Sequence, residues 1–284
     1  MPEACSLDHV GIVGRDIDGM LAAWRRLGFA PTVPRPLMAR DPATGRPVSL
    51  QQTSAHLVFE SGYVELSAVH TDSPAHHLAA YLGRGTGLHI LAFGTDDAAA
   101  AHARCAAAGQ QPLPLARASR EIAYGERRGE ARFEWFMLAP VVAPEGLICF
   151  VRQETPELVF QPAVQRHPNG VTALVGVYLL SDDPPRCARR VAALTGAAAG
   201  QVDVATVALS GGWLRCLDGA GFDRRFPGAA RPEQPALAGL ALKVRDLETA
   251  RRLVCAGGLQ PRDRPGGFWV GPEHASGAVV EFCG

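Results

Sequence analysis

Two histidines stand at matching places in matching segments of this chain. Asp8-His9-Val10-Gly11-Ile12-Val13-Gly14-Arg15-Asp16 and Leu88-His89-Ile90-Leu91-Ala92-Phe93-Gly94-Thr95-Asp96 each put an imidazole at the head of an apolar, strand-like run, with an aspartate where a helical pattern begins. Two imidazoles brought from two copies of a unit into one pocket would begin a metal site. Glu65 projects a carboxylate from the otherwise apolar Tyr63-Val64-Glu65-Leu66, where an unpaired charge is costly to bury. Two imidazoles and a carboxylate leave open positions on a divalent ion, be it zinc, manganese, nickel or iron. A bound cation acidifies a coordinated hydroxyl or water, and a neighbouring carboxylate such as Glu65 could serve as the base. Isomerisation, lyase chemistry and oxygen activation all fit such a site.

Other residues suggest contacts to a substrate. Arg117, Arg120, Arg127, Arg128 and Arg132 cluster in one loop and strand, and Arg132 alone sits in an apolar run, Arg132–Leu138. It is the arginine expected to meet a substrate carboxylate, while the others read as a solvated face. Tyr124 and Trp135 are candidate pocket walls, whereas His76, His77 and His102 read as surface residues. His167-Pro168-Asn169-Gly170 reads as a turn leading into a strand. The sequence contains neither a phosphate-binding glycine loop nor a serine-histidine-aspartate set.

The elements that would position these residues repeat along the chain. Asp16, Asp96, Asp182 and Asp246 each follow a short aliphatic run, Val10–Val13, Ile90–Phe93, Val175–Leu180 and Leu240–Val244. After the first, Ile17, Met20, Leu21, Trp24 and Leu27 recur at helical spacing, and Gly28 marks the stop. An aspartate at a helix entrance accepts from the free N–H groups of the first turn, so Asp16 and Asp96 are expected as caps. Further apolar stretches follow each helix: His56–Glu60 and Tyr63–Val69, then Arg132–Leu138 and Leu147–Arg152, then Val202–Leu209 and Trp213–Leu217, then Phe268–Val270 and Ala278–Phe282. The unit is βαβββ, and the expected fold class is α+β, with four modules paired into two half-open curved β-barrel domains. Residues 1–154, with modules at about 5–70 and 86–154, form the expected first domain; 171–284 form a degenerate second one, and Pro-rich 155–170 the linker. Whether the first module pairs with the second or with the fourth is open at this level.

Composition narrows the class of protein. The 284 residues are 47% hydrophobic and 20% charged, as in a folded globular chain rather than a disordered one. Lys+Arg and Asp+Glu both total 28, and no basic stretch is interleaved with aromatics, so a nucleic-acid partner is not expected. The 7 cysteines are scattered without a Cys-x-x-Cys pair, which argues against a disulfide framework and a thiolate zinc site. No leader pattern and no long apolar span is visible, so the expectation is a cytoplasmic protein, off the membrane, acting on a small molecule, with a homodimer left open as its assembly.

Paired βαβββ units opening on Leu-Asp-His-Val resemble the vicinal oxygen chelate superfamily, which includes glyoxalase I, fosfomycin-resistance proteins, bleomycin-binding proteins and extradiol dioxygenases. The chain is similar above all to glyoxalase-like proteins whose paired modules run into segments such as Thr155-Pro156-Glu157-Leu158 and His167-Pro168-Asn169-Gly170. The resemblance implies metal ligands from the first and last strands of each module, which puts His9, Glu65 and His89 at three of four places and leaves the fourth near Phe150, which cannot coordinate. Gln153 or Glu154 would take that place if the register shifted by a residue or a bulge intervened. Val175 and Gly239 stand at the corresponding places of the second half, and neither is a ligand; Glu281 matches Glu65 only in its local context. The function implied is a metal-dependent lyase or isomerase acting on a small oxygen-rich molecule. Its rivals are a ring-cleaving extradiol-type dioxygenase and a ligand-sequestering protein of the bleomycin-binding type.

Overall fold

The computed structural model describes residues 5–40, 44–197, 205–233 and 235–284. The first half contains β1 (Ser6–Gly14), α1 (Ile17–Arg26), β2 (Arg35–Arg40), β3 (Pro47–Val58), β4 (Tyr63–Val69), α2 (Ala79–Leu82), β5 (Gly87–Gly94), α3 (Ala98–Ala107), β6 (Ala116–Ile122), β7 (Gly129–Met137) and β8 (Leu147–Gln153). After the short α4 (Pro156–Val159), the second half contains β9 (Val171–Leu180), α5 (Pro184–Thr195), β10 (Thr206–Leu209), β11 (Gly212–Leu217), α6 (Gly219–Arg225), β12 (Ala236–Val244), α7 (Leu247–Ala256), β13 (Arg262–Arg264), β14 (Gly267–Val270) and β15 (Val279–Cys283). Part of the expected strand 202–209 lies outside the described residues. The strand Arg35–Arg40 was not among the expected elements, and β3 begins well before His56.

Two curved sheets result, one of 8 strands in the order β2-β3-β4-β1-β5-β8-β7-β6 and one of 7 in the order β10-β11-β9-β12-β15-β14-β13. Sequence left the pairing of modules open; the first module joins the second, through antiparallel β1 and β5, and the third joins the fourth through β9 and β12. Within each module the first strand runs parallel to the last, as in β1 with β4 and β5 with β8. A single apolar core unites the backs of both sheets with the buried faces of the long helices, drawing Val10, Trp24, Leu66, Leu91 and Phe150 together with Val177, Leu240, Val254 and Phe282. The halves are also tied by polar bonds, including Arg26 Nε to the Gly257 carbonyl at 2.9 Å and Arg104 Nε to that of Leu194 at 2.9 Å.

The segment 155–170 is packed against the first half. Gln161 Nε2 donates to the carbonyls of Tyr124, Arg127 and Leu158, and its Oε1 accepts from the Arg127 amide. The His167 ring nitrogens meet the Val58 carbonyl and the Ala30 amide, while fully buried Asn169 donates to the Leu27 carbonyl. Among the described residues no helix is long and apolar enough to cross a membrane.

The capping aspartates correct the register read from sequence. Asp16 accepts from the Gly19 amide at the start of α1, but α3 and α5 are capped by Asp97 and Asp183, through the amides of Ala100 and Arg186, and not by Asp96 and Asp182. Asp246 caps α7, accepting from the amides of Glu248 and Thr249. Counting back from the true caps, the counterparts of His9 are Ile90, Gly176 and Gly239. His89 is the counterpart of Asp8, one residue earlier.

Candidate functional site

Strand parity decides which side chains enter the first cup. Successive residues of a strand face opposite sides of the sheet, so a slip of one residue moves a side chain to the other face. On β1 and β4, Val10, Ile12, Val64 and Leu66 enter the shared core, while His9, Tyr63 and Glu65 line a cavity on the other side. On β5, Leu91 and Phe93 enter the core and Ile90 lines the cavity. The β1–β5 ladder shifts twice, between Leu7 and His9 and between Gly11 and Ile12, so that Asp8 and His89 are each skipped by the pairing. These are matching β-bulges, repeated in the second sheet at Ala238 and Val175.

The expected trio therefore does not converge. The His89 ring turns back onto its own strand entrance, with Nε2 2.8 Å from the Gly85 carbonyl, and it is absent from the cavity wall. Burial pushes its pKa down, against the opposing pull of that carbonyl, and the ring stays neutral. Register also relocates the fourth ligand place: Gly11 faces Glu65 in the first module and Ala92 faces Cys149 in the second, so the place falls to Cys149, and Phe150 points into the core. The four equivalent places are His9, Glu65, Ile90 and Cys149, and all four border one cavity. Gly11 makes room at its floor, since a Cβ there would lie 2.6 Å from the Ile90 side chain.

This donor set does not fit a divalent-metal centre of the expected kind. Ile90 has no lone pair to offer, and Cys149 puts a buried thiol, its pKa raised by burial, at the place where a carboxylate was expected. Glu65 Oε1 is already bonded by Ser67 Oγ at 2.6 Å, Ser54 Oγ at 2.8 Å and Gln52 Nε2 at 3.3 Å. Among the described residues no three histidine, cysteine or carboxylate side chains gather closely enough to hold a metal ion.

The cavity is nevertheless built for polar chemistry. Its volume is about 550 Å³, and its walls include Phe133, Trp135 and Val151 beside His9, Gln52, Glu65 and Arg120. His9 stacks on Tyr63 with ring centroids 4.4 Å apart, and its Nδ1 lies 2.6 Å from Asp8 Oδ1, while Gln153 Nε2 donates to the other oxygen of that carboxylate, Asp8 Oδ2, at 3.2 Å. This carboxylate fixes Nδ1 as the protonated nitrogen and leaves Nε2 as the acceptor. Burial alone would raise the Glu65 carboxyl, but His56, His9, the Ser67 hydroxyl and the Arg120 guanidinium outweigh it and hold the group well below the usual carboxylate range. Glu65 is an anchored anion. His56 lies opposite it across the β3–β4 ladder; burial and the adjacent Arg120 push its pKa down while the Glu65 carboxylate opposes them, and Arg120 Nη1 donates to its ring.

The expected substrate contacts divide. Trp135 lines the cavity; Tyr124 borders the adjoining cleft, its hydroxyl donating to the Val159 carbonyl at 3.3 Å. Arg132 is corrected: parity turns it outward beside Glu154 at 3.9 Å, its side chain 59% exposed. Arg120, expected on a solvated face, is the arginine that enters the cavity, with its guanidinium 5.6 Å over the Tyr63 ring. Counting alternation back from Trp135 and across the β6–β7 register gives this result, but the turn that sets the register carries no signal strong enough to fix it. His76 and His77, expected at the surface, stack on each other at 4.4 Å and line the cavity entrance. Burial, with His76 alongside, lowers His77 to about 4.

The chain belongs to the glyoxalase-like domain family, whose pattern matches residues 7–195. Among solved structures it is similar to a hypothetical protein from Staphylococcus aureus, with a TM-score of 0.67 at 9% identity over 98% of both chains. It is also similar to a mutant of 4-hydroxymandelate synthase from Streptomyces coelicolor, with a TM-score of 0.57 at 18% identity over 94% of this chain and 78% of that one. A fusion of a xylose isomerase-like TIM barrel with 4-hydroxyphenylpyruvate dioxygenase gives 0.58 at 15% identity, covering 99% of this chain and 49% of that chain. These likenesses show the fold, one of paired βαβββ modules. No curated protein matches the chain.

Proposed function

We propose that the first cup is the active site of a small-molecule lyase or isomerase that works by proton transfer at carbon, with the Asp8–His9 pair as its base. The observation that carries this reading is the 2.6 Å contact between Asp8 and His9 at the wall of a cavity that also holds ionised Glu65 and the Arg120 cation. Asp8 orients the imidazole and stabilises the imidazolium that forms when Nε2 takes a proton. Arg120, which keeps its charge against the effect of burial with the Glu65 and Asp8 carboxylates nearby, would hold a substrate carboxylate or the oxyanion that develops beside the deprotonated carbon. Gln52 Oε1 is buried without a hydrogen-bond partner, so a ligand hydroxyl or amide would complete it. Glu65 is placed to return a proton only when a ligand perturbs its anchoring serines; in the free protein it fixes the local field.

The aromatic and aliphatic lining supports a second reading, a protein that sequesters an apolar ligand without turning it over. One experiment separates the two. The protein is incubated in D₂O with a panel of small 2-oxo, 2-hydroxy and aromatic carboxylic acids, and proton NMR follows both line broadening and loss of C–H signal. Catalytic exchange in wild type that disappears in His9→Gln supports the enzyme, whereas broadening without exchange supports sequestration. Stoichiometric metal retained by native protein and lost in His9→Ala would overturn the metal-free form of the proposal.

A further inference from the structure

The second cup has lost its cavity to its own side chains. Gly176, the counterpart of His9, leaves room for the Trp213 ring, which a Cβ there would strike. Phe222 and Phe226, from α6 and its end, fill the centre with Tyr178 and Trp269. Glu281 is buried beneath them, accepting from the Tyr178 hydroxyl at 2.6 Å and from Arg225 at 3.2 Å, and paired with Arg264.

At the rim the charge is reversed relative to the first cup. Tyr178 faces Arg215 across the β9–β11 ladder just as Gly11 faces Glu65, so a guanidinium stands where the first cup has its anchored carboxylate. Arg215, Arg224, Arg225 and Arg264 together border a separate cleft of about 510 Å³ between β11, α6 and β13, walled by Leu217 and Pro265. Glu281 neutralises one of these four charges. The other carboxylates on the same elements are engaged elsewhere: Asp218 caps α6, Asp223 pairs with Arg231, and Asp263 pairs with Arg251. Arg215 and Arg224 have no carboxylate partner among the described residues. Two of the guanidiniums are already oriented by stacking, Arg215 5.2 Å over Trp213 and Arg225 4.9 Å over Tyr178.

We propose that this cleft is a binding site for a phosphate group, free or carried on a small organic ester. A surplus of about three positive charges in one concavity matches a multiply charged oxyanion better than a lone carboxylate, and guanidinium forks suit its oxygens. The site is independent of the chemistry proposed for the first cup.

Titration calorimetry on the full chain at constant ionic strength tests the proposal, with inorganic phosphate and phenyl phosphate as probes. The expected result is saturable binding of at least one probe, weakened by about tenfold or more in the double variant Arg215→Gln, Arg224→Gln. Binding of inorganic phosphate alone assigns the site to the free ion, and tighter binding of phenyl phosphate assigns it to an ester. Equal binding by wild type and variant, or no binding of either probe up to on the order of 10 mM, overturns the proposal. Should the variant not fold, phenylglyoxal labelling of wild type provides the second readout. Phosphate must protect Arg215 and Arg224 while exposed Arg128 reacts as before; uniform protection or none also overturns it.

Discussion

At the scale of single residues, the first cup rests on a pair of adjacent side chains, Asp8 and His9, that a regular strand would send to opposite faces. The bulge at Asp8 lets its carboxylate reach the neighbouring ring. Asp8→Asn should keep the stacking of His9 on Tyr63 but lose the charge that holds the imidazolium. The expected outcome in the exchange assay is a rate about 10²-fold lower with little change in ligand affinity. Glu65 makes a prediction about pH. Its folded-state pKa is depressed, so the stability it contributes is fully present above the ordinary glutamate value of about 4.3 and is lost as pH falls toward the lower folded value. Urea unfolding of Glu65→Gln between about pH 3 and pH 7 should show a shallower acid-side decline than wild type; an unchanged slope would show that the carboxylate is not held as an anion.

At the scale of elements, much was legible. Helical spacing of Met20, Leu21 and Trp24 marked the buried face of α1, and aliphatic runs marked the central strands. What failed was register by one residue. Asp96-Asp97 and Asp182-Asp183 each offer two adjacent caps, and propensity does not choose between neighbours; the choice of the first carried His89 into a place that belongs to Ile90. A bulge leaves no mark in composition, so Asp8 and His89 read as ordinary strand residues. Arg120 and Arg132 were exchanged for the same reason, since a short hairpin had to be phased before either could be aimed. Two measurements check the corrected register. Asp97→Ala should lower stability by about 1 kcal/mol through the lost cap, while Asp96→Ala should stay within about 0.5 kcal/mol of wild type by thermal unfolding. The double variant Ile90→His, Cys149→Glu places donors at all four equivalent strand positions. It should retain close to one divalent ion per chain after dialysis, by elemental analysis, and the wild type treated alike should retain none.

At the scale of the molecule, one core serves both halves. The buried faces of α1, α3, α5 and α7 lie among side chains from both sheets, and the Thr155–Gly170 region is tied down by Gln161, His167 and Asn169. Separated halves would each expose an extended apolar surface. Thermal unfolding of the full chain should therefore be a single transition, with near-UV and far-UV circular dichroism coincident. A resolved lower transition belonging to either half would contradict the shared core.

The matching bulges carry a consequence for how such a protein diversifies. A duplicated unit begins with both copies bound by identical constraints, and nearly every strand position must keep a neighbour across the ladder. The skipped residue alone is excused from that obligation, so it can change without unzipping anything. In this chain the two copies have already parted there: one skipped position supports an imidazole at a cavity wall, and the other has become a latch that closes a loop onto its own strand.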